Sequence, residues 1–191
     1  MNPYLLDIEK SNRKDTSAQK AMKESLIKQY SDKGITELGV CKFCNKVPVA
    51  RTTFYTYYKN MDELLEELEN DILIELLDLN SNISSASPEE FITADFLGKT
   101  LAYIDENHDL MYAFLVRYPN NRFIENWKQA IKYHFYENLF KDKSSDKEPF
   151  LSEVFASECI GAYTFYVKNP GKLDTADFNV YLAKFMAILN E

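Results

Sequence analysis

The stretch that decides the fold is Gly34–Leu65, GITELGVCKFCNKVPVARTTFYTYYKNMDELL. Gly39 to Lys46 forms one short helical segment and Ala50 to Tyr57 another, joined by Val47-Pro48-Val49. Pro48 disfavours helical geometry at Val47, so the first segment is expected to stop near Lys46. Tyr55, Tyr57 and Tyr58 favour strand by composition but sit in a helical frame. Asn60 with Glu63 has the spacing of a capping box and opens a longer helix. Upstream, Ala18, Met22, Ser25, Leu26 and Tyr30 recur at spacings of three and four, which predicts a preceding helix. Thr16 or Asp15 can cap its start, and Gly34 suits the left-handed position just past its end.

Charge divides the chain near the same place. Residues 1–60 carry 11 Lys and Arg against 6 Asp and Glu, a net of +5; residues 61–191 carry 11 against 24, a net of -13. The whole chain of 191 residues is at -8, which taken alone argues against nucleic acid. A basic head on an acidic body reopens that question. Apolar residues at 46% are enough for a sizeable core, and 5 Gly with 6 Pro supply too few turns for a β-sandwich or barrel. Three Cys make no disulfide framework. The opening MNPYLLDIEKSNRK has no apolar run of a secretory signal, and no stretch approaches a membrane span. A soluble, cytoplasmic protein is expected, with no membrane partner.

Downstream the period stays helical. Leu64, Leu65, Leu68, Ile72, Leu76 and Leu79 line one face of a helix at 61–79. Asp62, Glu63, Glu66, Glu67, Glu69, Asp71, Glu75 and Asp78 cover the rest. The Ser/Asn stretch 80–87 reads as a loop, and Ser87-Pro88-Glu89-Glu90 as a helix start. Further helices are expected at 88–106, 109–117, 121–140, 148–168 and 175–189, with breaks at Pro119, Pro149 and Pro170-Gly171 and a cap at Asp174 with Asp177. The fold class is all-α, about nine helices, divided as 1–60 and 61–191.

Three helices with a tight middle turn in the basic part of the chain outline a helix-turn-helix. The run from Thr16 to Leu65 resembles, without a gap, the DNA-binding segment of TetR/AcrR-type transcriptional regulators. Gly34, Val40, Phe43, Val49, Thr53, Phe54, Tyr55, Tyr58, Asp62 and Leu64 fall where that pattern has the same residue or one of its kind. Thr-Thr-Phe-Tyr-x-Tyr-Tyr before an Asn-capped acidic helix is its most diagnostic part. The sequence departs at Leu38-Gly39, where a hydroxyl pair is usual, at Pro48 for Gly, Ala50 for Ser, Thr52 for Gly and Met61 for Lys. The resemblance implies a bacterial ligand-responsive repressor, acting as a homodimer on a near-palindromic double-stranded DNA operator. It also implies that an effector in the C-terminal part moves the helix at 61–79 and resets the spacing of the two heads.

The residues support the same reading. A recognition helix offers its N-terminal residues to base edges, and Arg51 there can bind guanine bidentately. Thr52 offers a hydroxyl and a methyl. Thr53, Tyr55 and Tyr57 can donate to phosphates, with charge from Lys42, Lys46 and Lys59. Phe54 and Tyr58 fit the head's core instead. Two other readings stand beside it. One is a helical ligand- or partner-binding module that has lost specific DNA binding, motivated by Leu38, Gly39 and Met61. The other is a thiol or metal sensor using Cys41 and Cys44.

No catalytic motif occurs, so no enzyme, cofactor or metal is expected. Residues 103–136 are rich in aromatics, which suits either bundle core or a pocket for a small apolar or aromatic effector. The candidate pocket residues are Tyr103, His108, Tyr112, Phe114, Arg117, Phe123, Trp127, His134 and Tyr163. The last two helices carry wide apolar faces with Phe155, Cys159, Ala162, Tyr166, Phe178, Tyr181 and Phe185. The resemblance implies that these pair across a two-fold axis.

Overall fold

Thr16 opens the first helix of the computed structural model. Its hydroxyl accepts the Gln19 N–H at 3.3 Å and its own N–H donates to Gln19 Oε1 at 3.2 Å, a capping box. The structure describes residues 2–6, 14–35, 38–80, 96–141, 146–180 and 184. Among these there is no strand, and the order is α1 (Ser17–Lys33), α2 (Val40–Cys44), α3 (Arg51–Tyr57), α4 (Met61–Asn80), α5 (Phe96–Glu106), α6 (His108–Tyr112), a π turn (Ala113–Arg117), α7 (Asn121–Leu139) and α8 (Glu148–Lys168). Helix resumes over 175–180, behind a cap in which Asp174 and Asp177 exchange N–H and carboxylate bonds, both 3.0 Å. The expected loop at 80–87, the helix start at Ser87-Pro88 and the positions of Tyr181 and Phe185 lie outside the described residues.

The all-α expectation therefore holds, and most element bounds fall where the sequence puts them. One segment differs. The helix expected over 109–117 turns into a π turn after Tyr112. Pro119 has no N–H, and the amides on either side of it reach back instead. Tyr118 N donates to Ala113 O (2.9 Å) and Asn120 N to Phe114 O (2.8 Å), closing wider rings than an α-helix. The turn aims Arg117 and Tyr118 at the end of α1. Arg117 Nη1 donates to Ser31 O (2.9 Å) and Tyr118 Oη to Asp32 O (2.8 Å), while Tyr30 Oη donates to Tyr118 O (3.1 Å). Gly34, at φ 68°, ends α1 there. A Cβ built on it would lie 3.0 Å from the Tyr118 ring, so both backbone angle and space require glycine.

α4 is the central spar. Leu64, Leu65, Leu68, Ile72, Leu73 and Leu76 are buried and Leu79 is half-buried. Its acidic residues do not all face water. Glu67 and Asp71, with Asp15, surround the buried Lys23 of α1 at 2.7, 2.5 and 3.0 Å. Glu69 is 1% exposed, a correction to its reading as part of the outer cover. It accepts Arg122 Nε at 2.7 Å, Arg122 Nη2 at 3.0 Å and Asn120 Nδ2 at 2.6 Å. So α4 is pinned to α1 by one cation and to α7 by another. The buried side chains form one cluster that runs from Met22 in α1 to Phe178.

α7 and α8 pack along their lengths through stacked rings, Phe135 on Phe155 (4.4 Å) and Trp127 on Tyr163 (5.0 Å). Glu153 of α8 pairs with Lys128 and Lys132 of α7, and the two ammonium groups hold its carboxyl down at about 2. An unfolded Glu titrates near about 4.3. The pair's contribution is therefore present above that value and is lost as pH falls through about 2. Glu153→Gln should destabilise the chain by about 1 kcal/mol or less at neutral pH, since the side chain is 45% exposed and screened. The difference from the unaltered chain should shrink on acidification to about pH 2. Denaturant midpoints across that range check this; a constant difference would refute it.

Candidate nucleic-acid interface

α2 and α3 are too short to hold themselves, and buried rings hold them. Phe43 of α2 meets Phe54 of α3 edge-on at 6.0 Å, and Tyr58 lies 5.7 Å from Phe54. Phe43, Phe54, Tyr58, Leu38 and Val47 are all buried. The turn between the helices contains no residue at positive φ, so Pro48 is accommodated without a left-handed position. α3 is preceded by Ala50 at its N-cap, which has β geometry and makes no side-chain cap. The departures at Leu38 and Met61 also gain a physical account. Both are buried in the core, and α3 stays at the surface.

With Phe54 and Tyr58 turned inward, the opposite face of α3 is open. Arg51, Thr52, Tyr55 and Tyr57 are exposed, and Thr56 Oγ1 bonds back to Thr52 O at 3.1 Å. Lys42 and Lys46 are exposed on α2 and the turn after it. Two of the expected DNA-facing residues sit differently. Thr53 is half-buried and lines an open groove of about 350 Å³ between α1 (Ser17, Ala18, Ala21) and Pro48-Val49-Ala50. Lys59 is outward but engaged, with its Nζ 3.1 Å from Glu63 Oε1 and its N–H on Glu63 Oε2 at 2.7 Å. Those bonds hold the Glu63 carboxyl below its ordinary range. Asn60 Oδ1 takes the Glu63 N–H at 2.9 Å, so the capping box closes one residue further out than expected.

Cys41 is exposed, while burial pushes the Cys44 thiol up, away from the reactive thiolate. Among the described residues, no group of three His, Cys, Asp or Glu is placed to hold a metal. No described helix is long and apolar enough to cross a membrane.

The candidate effector residues fall into two groups. Phe114, Phe123, Trp127, His134 and Tyr163 are buried together, and Trp127, His134 and Tyr163 line a cavity of about 10 Å³, room for about one water. Burial pushes the His134 imidazole below its ordinary range. Asn80 and Thr100 supply the other polar lining, and the sequence does not point to Asn80, because an Asn at a helix end reads as a cap or loop residue. The rest do not converge on this cavity. Tyr103 donates to Glu75 (2.8 Å), His108 stacks on the exposed Tyr112, and Arg117 serves the end of α1.

On the expected pairing face, Phe155, Cys159 and Phe178 are buried within the chain's own core, and Ala162 and Tyr166 are half-buried. Among the described residues, the large apolar side chains that face outward in this part of the chain are Phe150, Phe165 and Val180. The sequence could not separate the two sets, because apolar residues lie on every side of α8.

No family model matches the sequence, and no curated protein does. Solved structures do match. The dihydroxyacetone kinase operon activator DhaS is 18% identical, with 91% of this chain and 94% of that one covered and a TM-score of 0.56. The fatty acid degradation regulator FadR from Bacillus halodurans is 14% identical, with 93% and 96% covered and a TM-score of 0.66. A TetR/AcrR-family transcriptional regulator from Thermobifida fusca is 14% identical, with 91% and 97% covered, at a TM-score of 0.48. The first two likenesses extend over nearly the whole of each molecule, and the chain has the fold of these helical transcriptional regulators.

Proposed function

We propose that this chain is a DNA-binding transcriptional regulator of the TetR/AcrR type. In this reading residues 1–60 bind a near-palindromic operator, residues 61–191 take a small apolar or aromatic effector, and the active species is a homodimer that represses until the effector binds. The observation that carries it is α3, whose aromatic anchors face the core while Arg51, Thr52 and Tyr55 face outward in the basic part of the chain. The fold shared with known regulators supports the same reading. Selection of genomic fragments by the purified protein at two salt concentrations tests it. Enrichment of a shared near-palindrome, falling steeply with salt, is the expected result, and retention without sequence preference would refute it.

The effector reading follows from where α4 is tied. Lys23 joins it to the head and Arg122 to α7, so a ligand that displaces α4 shifts the head. It must bind the DNA-incompetent arrangement more tightly, and DNA must weaken its binding by the same factor. The cavity at Trp127 and Tyr163 would have to open to admit it.

Dimerisation is assigned to the outward residues, not the buried ones. Phe150 is 69% exposed and Phe165 46%, on the same side of α8 as the exposed Gly161. Phe165→Asp should leave the fold intact and move the sedimenting species from dimer to monomer at micromolar concentration. A dimer that survives it would place the interface elsewhere.

A further inference from the structure

Residues 2–6 belong to the body, although the helix they precede belongs to the head. Asn2, Tyr4 and Leu6 are partly buried while Pro3 and Leu5 face out, the alternation of an extended segment laid on a surface. Asn2 Oδ1 accepts the Tyr4 N–H at 2.9 Å, so Asn2-Pro3-Tyr4 closes on itself as an Asx turn, with φ fixed at Pro3. The other end of the Asn2 amide donates to Tyr133 O (3.1 Å) and to Glu137 Oε1 (3.0 Å), both on α7. The Tyr4 ring meets Tyr136 edge-on at 6.2 Å, and Lys132 Nζ lies 5.6 Å from its centroid. Burial pushes its phenol up, with Ser152 and Glu148 at the start of α8, two buried residues themselves joined at 2.5 Å, beside the hydroxyl. Leu6 packs against the core.

The site is shaped for a peptide. It has a carboxylate and a carbonyl for the amide, a cation and a ring for the aromatic, and a buried hydroxyl–carboxylate pair for the phenol. The same strand of chain is pinned again farther on, where Asp15 joins the ion cluster around Lys23 between α1 and α4. We propose that residues 2–6 are an internal ligand of the α7–α8 face, a latch that ties the start of α1 to the body independently of α4. This does not depend on DNA being the partner of the head.

Hydrogen–deuterium exchange with millisecond labelling of the full chain tests the latch. Residues 4–6 should exchange at least about tenfold more slowly than in the free peptide NPYLLD. Tyr4→Ala should abolish that protection and speed exchange in the first turn of α1 at least about threefold, with α7 unchanged. Lys132→Met, which removes the cation beside the Tyr4 ring together with its pairing to Glu153, should release the same residues. If residues 4–6 exchange at the free-peptide rate in the unaltered chain, the latch does not exist. If both variants free them and α1 does not respond, the segment docks but ties nothing. A failed DNA-selection experiment would leave each of these readings where it stands.

Discussion

Arg122→Ala is expected to destabilise the folded chain by about 2–3 kcal/mol, below the full range for stranding one partner of a buried pair because Arg122 itself is 36% exposed. Glu69 is the partner left behind. It is 1% exposed, and only the Asn120 amide would still face it. A carboxylate left unpaired at that depth bears the cost of its buried charge, which protonation removes. The penalty should therefore be largest near neutral pH and shrink as pH falls below the unfolded value of about 4.3, where both states carry the proton. Replacing the pair outright removes the cause. Arg122→Met combined with Glu69→Leu should recover much of the loss, because no charge is then buried. Chemical denaturation of the two forms at pH about 7 and about 4 gives all the quantities needed. If the double variant is as unstable as Arg122→Ala, packing around Arg122 is the dominant effect and the charge argument fails.

The second large effect concerns discrimination. Arg51→Ala should cost about 1–3 kcal/mol of preference at one base step in each half-site, a ten- to hundredfold relaxation. Binding to unrelated DNA should change little. Lys42→Ala and Lys46→Ala should act the other way. They should weaken binding to all sequences alike and lower the slope of log affinity against log salt by about 1 for each phosphate no longer neutralised. Titration of matched and mismatched duplexes at several salt concentrations separates the two patterns. Undiminished discrimination in Arg51→Ala would move base reading to Thr52 and Tyr55, the other outward residues of α3.

What could be read from the sequence was whatever is local. The periodic spacing from Ala18 to Tyr30, the Pro48 stop and the Asn60 cap each concern residues a turn or two apart, and the structure bears them out. The inward turn of Phe54 and Tyr58 was legible for the same reason, since facing is fixed by the 3.6-residue period. Depth was not legible. Nothing near Glu69 distinguishes it from Glu66, because its partner stands 53 residues away on α7. Asn2 and its acceptors are separated by more than 130 positions. The buried Phe155 and the exposed Phe165 also look alike in a helix that is apolar all round. Choosing between them requires knowing where α7 lies.

The bonds at the end of α1 bear on autonomy. A helix carries partial negative charge at its C-terminus, where its last carbonyls lack intrahelical partners. In α1 those carbonyls, Ser31 and Asp32, are satisfied by Arg117 and Tyr118, and Tyr30 lays its ring edge-on against Phe114 at 4.8 Å. The basic segment thus borrows its helix cap and part of its hydrophobic interior from the acidic one. Charge splits the molecule in two near residue 60, but these bonds cross that boundary, and residues 1–60 cut free should lose part of their helical signal. A head that borrows its cap from the body is exposed to whatever moves the body.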